Sequence, residues 1–473
     1  MPTSMKSHYI GELTKKEKGK AVTLCGWVNS RRDHGGLIFI DLRDSTGIVQ
    51  VVFDKKSKLG DEAYKLASSL RPEWVIQVKG KIETRPESMV NPKLATGEIE
   101  VKAEKLNILS KSKTLPFEID KDGYEVKEDL RLKYRYLDLR RKRMLKNLKL
   151  RHQTKIFTRD FLAKKGFIEI DTPILSKSTP EGARDFLVPS RHHPGKFYAL
   201  PQSPQQYKQL LMMAGVEKYF QFGRCFRDED LRADRVLEFD QWDIEMSFVE
   251  QEDISNLTEE LVTGIVEKVI KKKIQEKPFP RLTYQEVMTK YKTDNPDLRK
   301  DKKNPDILAF VWITDFPMFE KKEDGTLGAA HHPFTALYNE DIYLLNKPEK
   351  LLEIRAKQYD LVLNGHEVFG GSIRNHDPKI LVKVFQALGY SKQEIRKRFG
   401  HLLSAFEYGV PPHGGIAGGF ARFLMASLGE KNIREVIPFP TTRKGTTSVM
   451  DAPSEVDAKQ LKELHIKIDR GEK

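Results

Sequence analysis

With 473 residues, 39% hydrophobic and 9% aromatic, the chain is long enough for two to four domains and has the composition of a globular protein with a substantial core. Two cysteines, Cys25 and Cys225, exclude a disulfide scaffold and cannot alone supply a four-ligand zinc site. The 82 basic residues outnumber the 68 acidic ones for a net charge of +14, which favours a polyanionic partner.

The opening residues MPTSMKSHYIGELTKKEKGK have no apolar signal core, and no 18-residue apolar run follows. A cytoplasmic protein with no membrane partner is expected. Residues 20–110 carry short alternating segments, AVTLCGWV, GLIFIDLRD, GIVQVVFD, WVIQVKGKI and GEIEVKAEKLNIL. Polar and Gly turns separate them, and the helical stretch GDEAYKLASSL interrupts them. Five strands and one helix predict an OB-fold β-barrel over residues 1–110, a fold whose open face often binds single-stranded nucleic acid. Residues 111–145 are charged and poorly periodic and read as a hinge. Its arginines fit a solvated surface and a phosphate contact equally.

From 146 to 166 the spacing predicts a helix, and GFIEIDTPIL then enters a strand ended by Pro173. The rest, 146–473, mixes strands with helices expected over 256–274, 348–358, 378–388, 392–399, 419–428 and 455–466. This is an α+β unit with no internal repeats. The polar stretch 290–316 reads as a surface connection.

Four clusters carry chemistry. STPEGARDFLVPS (178–190) and ALPQSPQQYKQLLMMAG (199–215) set Glu181, Ser203, Gln205 and Lys208 beside Gly and Pro turns, where side chains serve ligands more readily than cores. CFRDEDLRADRVLEFDQWDIEMSF (225–248) is a hairpin: Trp242, Ile244, Met246 and Phe248 alternate with Gln241, Asp243, Glu245 and Ser247, while upstream Arg227 shares a face with Gly223 and Cys225. YDLVLNGHEVFGGSIR (359–374) carries Asp360, Glu367 and Arg374, with Gly370 and Gly371 marking a bulge or a close backbone approach. PPHGGIAGGFARFLMASLG (411–429) runs from a Gly-rich strand into a helix. Arg422 lies in its first turn, where free amides and the helix dipole favour phosphate.

Each cluster alone is weak; in this order they resemble the three signature motifs of class II aminoacyl-tRNA synthetases, specifically the bacterial-type aspartyl-tRNA synthetases. The likeness runs from CGWVNSRRDHGGLIFIDLRD to APSEVDAKQLKELHIKI. It places motif 1 at about 146–173, motif 2 at about 219–248 and motif 3 at about 411–429. It implies an anticodon-binding barrel, a catalytic domain built on an antiparallel sheet, and a homodimer with the motif 1 helix and Pro173 at its interface. The implied reaction joins L-aspartate to tRNA through aspartyl-adenylate, using ATP and Mg²⁺. Two anions must meet, so positioning and charge neutralisation carry the catalysis.

Residue by residue, the resemblance makes Arg227 the bridge between α-phosphate and substrate carboxylate, a role that suits a planar, permanently charged fork. Arg422 would meet the γ-phosphate and adenine, with Phe239 on the opposite stacking face. Asp228, Glu229, Glu367, Gly419, Phe420 and Ala421 complete the ATP set, and Asp360 with Glu367 would hold the metal. Arg374 and Lys208 would take the aspartate side chain, with His331 closing over it and His332 a structural neighbour. Glu181, Gln205 and Asp243 suit the α-ammonium, and Ser203 joins the aspartate set. Asparagine would then leave buried cations unmatched. In the barrel, Phe39 would stack an anticodon base, Gln50 and Glu100 would bond base edges, and Arg32 would touch base or phosphate.

Three departures stand out. The large insertion usual after the equivalent of NPDLR (295–299) is missing. Val236 stands where the family carries a glutamine, and Ala421 replaces an acid that supports the motif 3 arginine. His34 and Ser88 match relatives that charge both tRNA-Asp and tRNA-Asn. The alternatives are a strictly tRNA-Asp-specific enzyme, an asparaginyl or lysyl relative, or an impaired RNA-binding paralogue.

Overall fold

The computed structural model describes residues 3–57, 61–178, 182–322 and 324–469, in two compact units, Met1–Lys121 and Asp122–Lys473. In the first, β1 (Ala21–Asp33), β2 (Leu37–Arg43), β3 (Ile48–Asp54), β4 (Val75–Thr84) and β5 (Ile99–Ser110) close a barrel in the order β1-β2-β3-β5-β4. Helix α1 (Asp61–Ser68) joins β3 to β4. Alternate residues point inward: Leu24, Ile38, Ile40, Val49, Val51, Ile76, Val78 and Val101 are fully buried in one cluster. Closure with a single β3–β5 parallel pair is the five-stranded arrangement the alternation predicts.

The second unit opens with α2 (Glu128–Lys133), α3 (Arg135–Asp138) and α4 (Lys142–Lys164), followed by α5 (Gln205–Met213), α6 (Gln251–Ile265), α7 (Tyr284–Tyr291), α8 (Pro378–Ala387), α9 (Lys392–Phe406) and α10 (Phe420–Leu428). Its eight-stranded sheet holds β6 (Ile168–Glu169), β9 (Lys218–Phe226), β10 (Glu238–Ser247), β12 (Arg281–Thr283), β14 (Phe310–Thr314), β17 (Gln358–Leu363), β18 (His366–Ile373) and β19 (His413–Gly419). The strand order is β12-β14-β17-β18-β19-β10-β9-β6, antiparallel except for the parallel pairs at either edge. Three two-stranded pairs accompany it: β7 (Leu187–Pro189) with β8 (Phe197–Ala199), β11 (Lys273–Ile274) with β13 (Ile307–Leu308), and β15 (Phe319–Lys321) with β16 (Leu327–Ala329).

Period-2 alternation gives the central strands two unlike faces. Trp242 and Ile244 of β10, Phe369 of β18 and Ile416 of β19 pack under α6 and α10. Trp242 lies 5.0 Å from Phe369 and 5.8 Å from Phe423 between ring centroids. Phe248, expected to continue that apolar face, is 68% exposed. The strand stops at Ser247, and Phe248 turns at φ 58° with its N–H on the Pro412 carbonyl.

The stretch 111–145, expected as a hinge, divides at Lys121, and its second part belongs to the second unit. Its arginines are neither solvated nor free for phosphate. The Asp138 carboxylate accepts from Arg131 Nε at 2.9 Å, Arg135 Nη1 at 2.7 Å and Arg141 Nε at 2.8 Å. Glu435 accepts from Arg131 Nη2 and Arg143 Nη2, both at 2.7 Å. Burial alone would raise the Asp138 pKa; Arg131 and its neighbours hold it below the usual carboxylate range. Without apolar periodicity, this segment is fastened by ion pairs.

Helix α4 begins four residues earlier than its apolar pattern indicates, because Lys142 follows directly on this network. Its buried stripe mixes Leu150 and Leu162 with Thr154 and Thr158, whose hydroxyls donate to the carbonyls of Leu150 and Thr154 one turn back. The helix expected over 256–274 starts at Gln251 and ends in a π turn at 266–270. The one expected over 348–358 is a 3₁₀ turn ending at Glu353. Replacing Asp138 by alanine leaves three buried guanidinium groups short of a carboxylate. The expected loss is about 3–5 kcal/mol, read as a lower urea midpoint followed by tryptophan fluorescence; an unchanged midpoint would show that the network does not hold this segment.

Candidate active site and nucleic-acid face

The face of the sheet opposite Trp242 is polar. β10 offers Gln241, Asp243 and Glu245, and α5 brings Lys208 over them. Lys208 Nζ lies 2.6 Å from Asp243 Oδ1 and 3.0 Å from Glu245 Oε2. Arg374, just past β18, donates Nε and Nη2 to the two Glu245 oxygens at 2.8 and 2.9 Å, a bidentate fork. Its Nη1 donates to Ser372 Oγ at 2.6 Å and lies 3.0 Å from His332 Nε2. All four charged side chains are at most 2% exposed. A Cβ at Gly415 would sit 2.0 Å from Glu245 Oε2, so only glycine fits beneath the cluster.

The sequence singled out Arg374, Lys208 and Asp243 but missed Glu245, at the centre of this network. Its signal was present: it shares the period-2 face of Gln241 and Asp243. Burial opposes its ionisation, yet Arg374 and Lys208 bring its pKa down to about 2. Glu245 and Asp243 pair with both cations within the chain, so neither depends on the substrate for a counter-charge. Asp243 keeps one oxygen in reserve: Oδ2 is buried with no hydrogen-bond partner among the described residues. Burial pushes its pKa up against the pull of Lys208, so an incoming ammonium fits there. The two histidines reach different parts of the site. His332 touches Arg374, and burial beside that cation holds it neutral. His331 lies 3.9 Å from Asp360 and edge-on to Phe316.

Gln205 is buried and donates to Gln209 at 3.2 Å. Ser203 lines a neighbouring cavity of about 310 Å³ with Gln202, Gln206, Tyr207 and His401. Glu181 lies outside the described residues.

A second cavity, about 200 Å³, opens between the hairpin and α10. Arg227, Glu229, Val236, Phe239, Gln241, Glu367, Gly419, Ala421 and Arg422 line it, together with Asp234 and Ile433. The Arg227 guanidinium sits 5.2 Å from the Phe239 ring centre, and its Nε donates to the Gln202 carbonyl at 3.3 Å. Arg422, in the first turn of α10, donates Nη1 to the Glu367 carbonyl at 3.3 Å. With Ala421 in place of an acid, its Nε finds Asp234 of the hairpin loop at 3.5 Å. Two expected members stand elsewhere. The Phe420 ring is fully buried against Phe222 and Trp242, because its position continues the apolar face. Exposed Asp228 gives its N–H to the Arg184 carbonyl at 3.0 Å.

Asp360 and Glu367 converge from neighbouring strands: a Cβ on Gly370 would lie 3.0 Å from one carboxylate and 3.3 Å from the other. Opposite Leu361 and Val362 a bulge turns Glu367 to this side, while Gly371 is the close approach, its Cβ position 2.4 Å from the Gly415 carbonyl. Burial, and Glu367 beside it, push the Asp360 pKa well above the usual range. Among the described residues no group of three or more His, Cys, Asp or Glu side chains could hold a metal. Two hard carboxylates that repel each other fit a magnesium ion that brings its remaining oxygen ligands from phosphate and water.

On the barrel, the predicted RNA readers gather on the outer face. Phe39 is half-buried between fully buried Ile38 and Ile40. Arg32 reaches Asp41 and Gln50, each at 3.2 Å, and Gln50 donates to Glu100 at 3.1 Å. His34 lies edge-on to Phe39 at 5.6 Å. Ser88 is exposed on the 3₁₀ turn Glu87–Met89. Asp41, which shares the outward face of Phe39, was missed.

Residues 127–443 match the tRNA synthetases class II (D, K and N), and residues 22–109 match an OB-fold nucleic acid binding domain. The chain belongs to the class II tRNA synthetases. It is 44% identical to an aspartate–tRNA(Asp/Asn) ligase of Halothermothrix orenii and 43% identical to one of Dictyoglomus turgidum, each over 98% of both chains. The first alignment runs over 592 positions, more than the 473 residues here, so this synthetase lacks segments that relative carries. Its fold is shared with the asparaginyl-tRNA synthetase of Pyrococcus horikoshii bound to asparaginyl-adenylate (TM-score 0.76, 24% identity, 93% of this chain and 99% of that one). The aspartyl-tRNA synthetase of Entamoeba histolytica is also similar (TM-score 0.74, 23% identity, 93% and 92%).

A cation held by Asp360 requires the ionised carboxylate, whose pKa is raised, so binding weakens as pH falls. The Mg²⁺ concentration giving half-maximal ATP–pyrophosphate exchange is expected to rise several-fold between about pH 8 and about pH 6. Asp360→Asn is expected to flatten that dependence; a wild-type requirement independent of pH would count against Asp360 as a ligand.

Proposed function

We propose that this chain joins L-aspartate to tRNA by way of aspartyl-adenylate and charges both tRNA-Asp and tRNA-Asn. The observation that carries the reading is the shared sheet face: the buried cluster of Lys208, Asp243, Glu245 and Arg374 lies one alternate position along β10 from the cavity of Arg227, Phe239 and Arg422. Amino acid and nucleotide would therefore meet on adjacent strands.

In the first step a substrate carboxylate oxygen bonds to the α-phosphorus of ATP as the bond to pyrophosphate breaks. Arg227, between the Gln202 carbonyl and the Phe239 ring, spans the two anions and offsets their repulsion. Phe239 and Arg422 bracket the base, and Arg422 meets the terminal phosphate. Asp243 receives the ammonium at its free oxygen, and Arg374 with Lys208 and His332 takes the side chain. Asp360 and Glu367 would hold Mg²⁺, which neutralises phosphate charge when bound. No general acid or base is required of the protein, because pyrophosphate is already a competent leaving group.

Because the cluster is charge-balanced before substrate arrives, selection of aspartate over asparagine rests on how the Arg374 Nη1 edge and neutral His332 receive the side chain rather than on bare cations. The relatives' names and the pair His34 and Ser88 support use of both tRNAs. Phe39, Gln50, Glu100 and Arg32 would read the anticodon. Exposed Ile156, Ile168, Ile174 and Leu175 around α4 and Pro173 support a homodimer, and no described helix is long and apolar enough to cross a membrane, which accords with the cytoplasm.

ATP–pyrophosphate exchange with Asp, Asn and Lys, followed by charging of purified tRNA-Asp and tRNA-Asn, tests the proposal. Exchange with aspartate alone and comparable charging of both tRNAs are expected. Exchange with asparagine or lysine would overturn the substrate, and a large preference for tRNA-Asp would overturn the dual specificity. Arg227→Ala is expected to lower exchange by about 10²–10³-fold; undiminished activity would remove Arg227 from the attack site.

A further inference from the structure

We infer that Arg434, just beyond motif 3, is a positioning residue for ATP: it fixes the height of the motif 2 hairpin loop over the nucleotide cavity. The inference rests on the reading of that cavity as the ATP site.

The loop between β9 and β10, residues 227–237, brings Arg227, Glu229, Asp234 and Arg235 to the cavity. Within it Arg235 pairs with Glu229 at 3.3 Å, a bond that shapes the loop without fixing it to anything. Its start is tied by the Asp228 N–H to the Arg184 carbonyl; the backbone anchors of its far half come from residues 432–435, which follow α10. The Ile433 N–H donates to the Ala233 carbonyl at 2.9 Å, and Arg434 Nη1 donates to the Arg232 carbonyl at 3.4 Å. These bonds grip the backbone, so they set where the loop sits whatever side chains it carries. Ile433 itself lines the cavity, so anchor and wall are continuous.

Arg434 can serve as a fixed post because it is itself immobile. It is 1% exposed. Its Nε donates to Glu128 Oε1 of α2 at 2.9 Å, its N–H donates to Asn432 Oδ1 at 2.9 Å, and its carbonyl accepts from Arg135 Nη2. Asn432 Nδ2 returns to the same Glu128 oxygen at 3.2 Å. The guanidinium thus joins Glu128 of α2 to the backbone of the loop at Arg232. Its fork is what the task needs: one nitrogen for Glu128 and another for the carbonyl.

Arg434→Lys keeps a cation for Glu128 but has no second nitrogen for Arg232. In ATP–pyrophosphate exchange, KM for ATP is expected to rise about tenfold while kcat and KM for aspartate stay within about twofold. Hydrogen exchange of backbone amides in residues 228–237 is expected to speed up in the same variant, with the OB-fold barrel unchanged. Glu128→Gln is expected to shift KM for ATP in the same direction. Arg443→Gln, which removes another partner of Glu128 (3.3 Å), is expected to leave both KM values unchanged. Equal rises in both KM values, or an unchanged KM for ATP with unchanged loop exchange, would overturn the inference and leave the active-site reading standing. Absence of ATP-dependent exchange in the wild type would instead overturn the reading beneath it.

Discussion

The ionised Glu245 at the centre of the sheet is the constraint on which the catalytic unit depends. It has no contact with water and meets three cationic nitrogens, two from Arg374 and one from Lys208. Removing one partner from such a buried pair typically costs about 3–5 kcal/mol, because the remaining charge has no other relief. The cluster therefore locks α5, β10 and the end of β18 to each other. The same charges form the wall of the proposed amino acid pocket. A single carboxylate thus joins stability to recognition, and Gly415 beneath it leaves room for no alternative arrangement.

That arrangement needs a sheet with unlike faces. On one side Trp242, Phe369, Phe420 and Phe423 pack ring to ring under the helices. On the other, glycines alternate with charged residues, so strands can approach and side chains can converge. Apolar burial supplies the favourable free energy, and the polar face uses part of it to hold charges out of water. Asp360 stands on a strand and Arg374 directly at the end of one, which suits a reaction whose acceleration comes from placement.

Much of this was legible in the residues. Period-2 alternation placed four of the barrel strands and the β9–β10 hairpin to within about two residues, while β1 continues past AVTLCGWV to Asp33; motif strings located Arg227, Asp360, Glu367, Arg374 and Arg422. Glu245 was visible as an alternating acid, but alternation cannot say that an acid is buried and doubly paired. The segment 128–141 was misread because apolar periodicity is the signal for packed helices, and this one is held by Arg131, Arg135 and Arg141 around Asp138. Phe248 was placed in the core because a pattern does not announce where a strand stops. The contact of His332 with Arg374 has no sequence signature. Arg434 was passed over because its partners lie about 200 and 300 residues away in sequence.

The acid missing beside Arg422 has a consequence of its own. A carboxylate on the same helix would steady that arginine at all times, as a permanent counter-ion. Asp234 stands on the hairpin loop instead, 3.5 Å from Arg422 Nε, and adds to the bond that Arg422 Nη1 makes to the Glu367 carbonyl. A tie between two groups is reciprocal: what orders the loop helps to order Arg422, and the converse. With Ala421 on its own helix, the motif 3 arginine takes its carboxylate partner from motif 2 instead.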